Sequence, residues 1–240
     1  MKAFNREVER LRENPIEVVL FDLGNVILPF SHFQIAEKLA RFARKAPYQD
    51  PSLIFWDIFD LEKGLINPYE RGEISSSQFF EQLKERFDLS LSFDDFVPIW
   101  NEIFTENEEV SEVIRSLKGK KRLGLLSNTN PLHFAYALER FPVVQLFDRW
   151  ILSHEVGAKK PALEIFQTAL RWASTLPERI LFIDDTAGHV EAARRLGIRA
   201  LHFTSASRLR RSLHDLHLDQ IGRSGNADGN PSDDDHTISR

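Results

Sequence analysis

Four places in the chain carry residue types suited to handling a phosphate together with a divalent cation. Asp22, Leu23, Gly24 and Asn25 close the apolar run IEVVLFD. Ser127, Asn128, Thr129 and Asn130 close RLGLLS, a Lys159–Lys160–Pro161 step stands further on, and Asp184 and Asp185 close RILFID. Hard cations such as Mg²⁺ take oxygen ligands, commonly one or two carboxylates with carbonyls, waters and phosphate oxygens. Asp22 and the Asp184–Asp185 pair can supply the carboxylates, and Gly24 a carbonyl from an open turn. Ser127 can donate to a phosphate oxygen, and Lys160 can neutralise phosphate charge and keep Asp22 ionised. A carboxylate in line with phosphorus can act as a nucleophile and form an aspartyl-phosphate. The cation and Lys160 would stabilise the charge on the transferring group.

Each position also has a plainer reading. Asp22 can cap a turn, Ser127 and Asn128 are turn formers, Lys160 can be a solvated helix start, and Asp184–Asp185 can cap a helix from Ala187. What favours a site is that all of them stand at successive strand ends.

The elements that must position them follow from hydrophobic patterning. Ile16–Asp22, Arg122–Ser127, Trp150–Ser153, Arg179–Asp184 and Ile198–Phe203 are short apolar runs that suit strands buried on both faces. Helical stretches alternate with them. Glu109–Lys118 places Val110, Val113, Ile114 and Leu117 on one face, Pro161–Trp172 opens on a Pro suited to a first helical turn, and Ala187–Leu196 stops at Gly197. This alternation predicts an α/β fold with a doubly wound, Rossmann-like parallel sheet of five strands. Ligands of such sheets sit outside the carboxyl ends of the strands, where the polar residues above are found.

The stretch from Phe33 to Phe104 breaks the alternation. It reads as helices only: His32–Lys45, Pro51–Phe59, Ser76–Phe87 and Ser92–Phe104, the last opening on a Ser92/Asp95 capping box. Eleven of the 19 Phe residues lie between Phe30 and Phe104, enough for a second small core. Those aromatics are read as packing rather than as a ligand box. The expected division is a core domain from 15–31 and 106–221, an inserted α-helical cap domain at 32–105, and a disordered polar tail at 222–240.

Composition narrows the function. The 240 residues carry 31 Lys+Arg against 36 Asp+Glu, a net charge of −5, which argues against a broad basic field for nucleic acid. With no Cys there is no disulfide framework, thiolate metal site or Cys nucleophile, which fits a reducing compartment. No apolar run reaches the ~20 residues of a bilayer span. The charged opening MKAFNREVERLREN is not a secretory signal. These features predict a soluble cytoplasmic protein with neither nucleic acid nor membrane as partner. The strand-end residues above point to a small phosphorylated metabolite, and a monomer or homodimer is expected.

In order along the chain, FDLGNV, LLSNTN, GAKKPALEIF and FIDDTAGHVEAARRLGI resemble the four motifs of haloacid dehalogenase-superfamily hydrolases. The resemblance covers Glu17 to Phe203. The cap segment YERGEISSSQFFEQL is similar to the branch that holds sugar-phosphate phosphatases and the N-terminal phosphatase domain of soluble epoxide hydrolases. The resemblance implies that Asp22 attacks phosphorus. It implies a Mg²⁺ held by Asp22, the Gly24 carbonyl and Asp185, with Asp184 direct or through water. Ser127, Asn128 and Lys160 would hold the phosphate, and the cap would close over the site and select the substrate.

There are two departures from the family pattern. Gly24 stands where phosphatases of the family carry a second Asp as general acid and base, help worth roughly 10²–10⁴ in rate. Either another group or water then does that work, or the leaving group needs little help, or activity is weak. FDLGNV and FDLGGV forms occur in the sugar-phosphatase-like branch, and that resemblance favours retained activity. His189 stands where the fourth motif commonly has Asn, and is read as a helix-surface residue or a neighbour of the site. Glu70, Arg71 and Glu73 are candidate substrate-facing cap residues, although charges in such a turn are usually solvated.

Three functions remain open. The leading one is a Mg²⁺-dependent phosphatase of a small phosphate monoester, such as a sugar phosphate. A 2-haloacid dehalogenase would use Asp22 on carbon without metal, but has no use for the Asp184–Asp185 pair. A non-catalytic family member would take Gly24 as the mark of lost chemistry.

Overall fold

The computed structural model describes residues 15–218, so the expected tail at 222–240 lies outside them. The described residues form one parallel sheet of β1 (Val18–Phe21), β2 (Arg122–Ser127), β3 (Arg149–Leu152), β4 (Ile180–Asp184) and β5 (Arg199–His202). The spatial order is β3-β2-β1-β4-β5, with Phe21 in register with Leu125 on one side and Ile183 on the other. Strand-to-strand connections run outward from β1 in one direction and then cross back to β4. The crevice of this sheet therefore opens at the carboxyl end of β1.

All four residues of β1 are fully buried, and their side chains divide between two cores. Val19 and Phe21 join one core, with Val110, Val113, Ile114 and Leu117 of α6 (Glu108–Leu117) and Leu209 and Leu213 of α11 (Ala206–Asp215). Val18 and Leu20 join the other, with Ile165, Phe166 and Ala169 of α9 (Leu163–Ala173) and Val190 of α10 (Ala187–Arg195). Side chains on a strand alternate between faces, so helices on both faces leave every strand position apolar. That is why β1 reads as an unbroken apolar run.

Between β1 and α6 come α1 (Phe33–Ala40), α2 (Pro51–Phe59), α3 (Ile66–Glu70), α4 (Ser76–Phe87) and α5 (Phe93–Asn101). Their inward faces make a third core, dense in aromatics: Phe79 packs on Tyr69 at 4.5 Å and on Trp100 at 4.9 Å. Starts are set by side chains. Asp50 accepts from the Ser52 N–H ahead of Pro51, and Ser75 with Gln78 and Ser92 with Asp95 form reciprocal capping boxes.

Three helix boundaries differ from the periodicity by more than one residue. α1 ends at Ala40 rather than Lys45, because the chain beyond it pairs with another segment: Arg44 N–H donates to Asp88 O and Ser90 N–H to Phe42 O. α5 ends at Asn101 because Phe104 bridges to Phe30 and Thr105 N–H donates to Pro29 O, joining the two strands of chain that enter and leave the helical layer. α9 begins at Leu163 rather than Pro161, because Ala162 ahead of it is extended at φ −60° and ψ 147°. Two further helices, α7 (Pro131–Arg140) and the short α8 (Ser153–Val156), complete the layers around the site.

Candidate active site

Asp22 follows the last residue of β1, Ser127 ends β2, and Asp184 ends β4, so the three side chains meet where the sheet opens. Lys160 reaches them from the loop before α9. Its ammonium is fully buried, 2.9 Å from Asp22 Oδ1 and 2.7 Å from Asp184 Oδ2, and donates to Leu126 O at 2.8 Å. Asn128 fixes that loop: its amide donates to Lys160 O at 2.9 Å and accepts from Lys160 N–H at 2.7 Å. The Asn128 side chain, expected on a phosphate, is thus committed to the Lys160 backbone.

Asp22 Oδ1 also accepts from Leu23 N–H at 2.7 Å, and among the described residues nothing bonds its Oδ2. Burial pushes the Asp22 carboxyl well above the usual carboxylate range; Lys160 opposes this, and the charges of Asp184 and Asp185 add to it. Burial works against the charged form of Asp184 too. There, Lys160 and the His189 hydrogen bond outweigh it and hold the carboxyl below its ordinary value. Burial would lower Lys160, and the two carboxylates more than reverse that.

His189 is not on the outer helix surface. Its Nδ1 lies 3.1 Å from Asp184 Oδ1, and ligating atoms of Asp22, Asp184 and His189 fall within 4.8 Å of one another. Asp185 and Gly24 line the cavity beside Asp22. Three carboxylates and a backbone carbonyl are hard oxygen donors, and they fit a cation such as Mg²⁺.

The cavity over Asp22 has a volume of about 470 Å³ and takes its opposite wall from the helical layer: Phe30, His32, Leu61 and Glu70 face Gly24, Asn128, Lys159, Lys160 and Asp185. Glu70 forms an ion pair with Lys159, whose Nζ also donates to Asn67 Oδ1 at 2.9 Å. Of the three cap candidates, Glu70 is thus in the wall, whereas Arg71 and Glu73 pair with each other at the surface. Sequence reasoning missed His32 and the Glu70–Lys159 pair. The only signal for the latter was the second Lys of the Lys159–Lys160 step.

The helical layer is tied down around this cavity. Leu132 N–H donates to Tyr69 Oη at 3.3 Å, and Trp100 Nε1 to Asn130 Oδ1 at 3.3 Å. Gly72, at φ +69°, sits so close to His154 O that a Cβ there would overlap it. Gly72→Ala is therefore expected to cost about 1–3 kcal/mol, read as a lower urea midpoint; an unchanged midpoint would refute the close approach.

With this geometry in hand, the comparisons fix the class. The haloacid dehalogenase-like hydrolase profile matches residues 16–197, and the chain belongs to that family of hydrolases. It is 26% identical to the D-ribitol-5-phosphate phosphatase of Bacteroides thetaiotaomicron over 189 residues, 76% of this chain and 89% of that one. It is 25% identical to the phosphorylated carbohydrates phosphatase of Thermotoga maritima over 190 residues, 78% and 84% of the two chains. Among solved structures, a haloacid dehalogenase-family enzyme from Bacteroides thetaiotaomicron in complex with magnesium and inorganic phosphate superposes with a TM-score of 0.70. That pair is 25% identical and covers 81% of this chain and 98% of the other. No helix among the described residues is long and apolar enough to cross a membrane.

Proposed function

We propose that the chain is a Mg²⁺-dependent phosphatase of small phosphate monoesters, sugar or sugar-alcohol phosphates, working through an aspartyl-phosphate on Asp22. The observation that carries this reading is the buried Asp22–Lys160–Asp184 cluster at the floor of a cavity closed by the helical layer. The similarity to phosphatases of phosphorylated carbohydrates supports the substrate class. Asp22, the Gly24 carbonyl, Asp184 and Asp185 would hold the metal, which neutralises charge on the phosphoryl oxygens.

In the first half-reaction Asp22 Oδ2 forms a bond to phosphorus while the bond from phosphorus to the ester oxygen breaks. The electron pair leaves with that oxygen. Ser127, at the end of β2, supplies a donor to the phosphoryl group, and the Lys160 ammonium supplies positive charge beside it while Asn128 holds the Lys160 backbone in place. In the second, a water oxygen bonds to phosphorus as the bond from phosphorus to Asp22 Oδ2 breaks, the electron pair returns to Asp22, and the proton that the water loses passes to solvent. The helical layer excludes bulk water and limits the size of the leaving alcohol. Dehalogenation is disfavoured because two acids, Asp184 and Asp185, add negative charge beside Asp22, which serves a cation and not a departing halide.

The test is hydrolysis of p-nitrophenyl phosphate with and without Mg²⁺, for wild type and Asp22→Asn. Turnover that needs both the cation and Asp22 is expected, followed by turnover of pentitol or pentose phosphates. A folded wild type that binds Mg²⁺ and turns over none of these would refute the reading.

A further inference from the structure

A departing alkoxide needs a hydrogen-bond donor, and both lysines at the cavity are committed to protein acceptors. Lys160 is on Asp22, Asp184 and Leu126 O, and Lys159 is on Glu70 and Asn67. His189 is on Asp184 through Nδ1 alone, and Asn25 takes the Phe30 N–H on Oδ1, which leaves His189 Nε2 and Asn25 Nδ2 at the rim beside Asp185 and Phe30. Position 24 cannot supply the donor. A Cβ built on Gly24 would lie 2.6 Å from Phe30 Cε1, so the Phe30 ring occupies the space that a side chain would need.

The Phe30 ring in turn packs on His32, with centroids 4.6 Å apart. On its other contacts the imidazole lies flat on Phe59 at 4.1 Å and 7°, and 6.3 Å from the His133 ring. It is held by aromatic faces alone: among the described residues neither ring nitrogen has a hydrogen-bond partner. The ring is half-buried, so this polar edge is open to a ligand. That edge is in the wall of the cavity that holds Asp22.

We propose that His32 donates, from a ring N–H, the hydrogen bond that the ester oxygen takes as it leaves phosphorus. The proposal rests on the phosphatase reading above. As the bond from phosphorus to the ester oxygen breaks, its electron pair moves onto that oxygen while Asp22 Oδ2 bonds to phosphorus. The N–H of His32 stabilises the developing charge, and the proton that completes the alcohol comes from water. His32 itself stays neutral throughout. Burial, with His133 and Lys159 nearby, holds its imidazole at about 3, far below the ordinary value. A neutral imidazole is a competent electrophilic donor when it is held in place.

The experiment compares p-nitrophenyl phosphate, which expels a stabilised phenolate, with phenyl phosphate, which expels a basic one. Both are run with Mg²⁺. His32→Phe keeps the ring stack and removes the donor; His32→Gln restores a donor. His32→Phe is expected to lower kcat/KM on phenyl phosphate on the order of 100-fold and on p-nitrophenyl phosphate less than about 5-fold, with partial recovery in His32→Gln. If His32→Phe does not fold, judged by thermal unfolding, His32→Ala takes its place. Equal losses on the two esters, or no loss on either, would overturn the assignment to His32. A wild type inactive on both esters would overturn the phosphatase reading instead, and this inference with it.

Discussion

Replacing Lys160 with Met is expected to reduce phosphate ester hydrolysis to background and to lower the unfolding free energy by about 3–5 kcal/mol. An ammonium has three N–H donors, and this one spends them on Asp22, Asp184 and Leu126 O at 2.7–2.9 Å with its side chain fully buried. The arrangement balances charges that water cannot reach. Removing the cation leaves two neighbouring buried carboxylates without a counter-charge, and desolvation with mutual repulsion drives at least one to bind a proton. Asp22, whose carboxyl burial already pushes upward, is the one to do so. A protonated Asp22 is a poor nucleophile and a poor metal ligand, so the same substitution removes activity and stability by one cause. Urea unfolding and steady-state kinetics on the one variant test both halves. The double change Lys160→Met with Asp184→Asn should recover much of the stability, because only one carboxylate remains, and none of the activity. A single variant as stable as wild type would show that the ammonium does not offset those charges.

How far the sequence reached can be judged at particular residues. Asp22, Ser127 and Asp184 were legible because each ends an apolar run, and parallel strands bring their carboxyl ends together. β2 and α2 fall on the bounds that pattern and capping predict. The helices of the inserted layer were legible through their aromatic spacing and the Ser92/Asp95 box. Other features depend on pairings between distant parts of the chain, which no local period encodes. The early end of α1 follows from strand-like contacts with the segment after α4. The place of His32 in the cavity follows from rings of Phe30, Phe59 and His133 that converge on it from three elements. Asn128 looked like a phosphate ligand because an amide at a strand end fits that role. Its commitment to the Lys160 backbone depends on where a loop after β3 returns, which spacing does not reveal. α7 was overlooked, although Asn130 followed by Pro131 is a legible start: Asn130 accepts from His133 N–H with Pro in the first turn.

The overlooked α7 underlies a second large effect. Acidification from pH 7 to pH 4 is expected to cost the fold about 3 kcal/mol through His133 alone. His133 is buried between α7 and α5, stacked on Trp100 at 4.9 Å. Its Nε2 donates to Trp100 O at 2.9 Å, which fixes the tautomer and leaves Nδ1 to accept from the Asn130 amide at 3.1 Å. Both ring nitrogens are satisfied only in the neutral form; a second proton would set Nδ1–H against the Asn130 amide N–H₂. Burial accordingly holds this imidazole at about 4, below its ordinary 6.5. Between those two values the unfolded chain binds the proton and the folded one does not, so protonation draws the equilibrium toward unfolding. The stability is complete above about pH 6.5 and falls away as the pH drops through 4. Urea unfolding across this range should show a steeper loss in wild type than in His133→Gln, in which no imidazole titrates; the carboxylates contribute to both alike. Parallel losses would remove His133 as the cause. The loss falls where Trp100 Nε1 and Asn130 join the helical layer to the sheet domain. Acid should therefore weaken that junction ahead of the rest of the sheet, and hydrogen exchange at Trp100 and at the start of α7 should rise before that of β1.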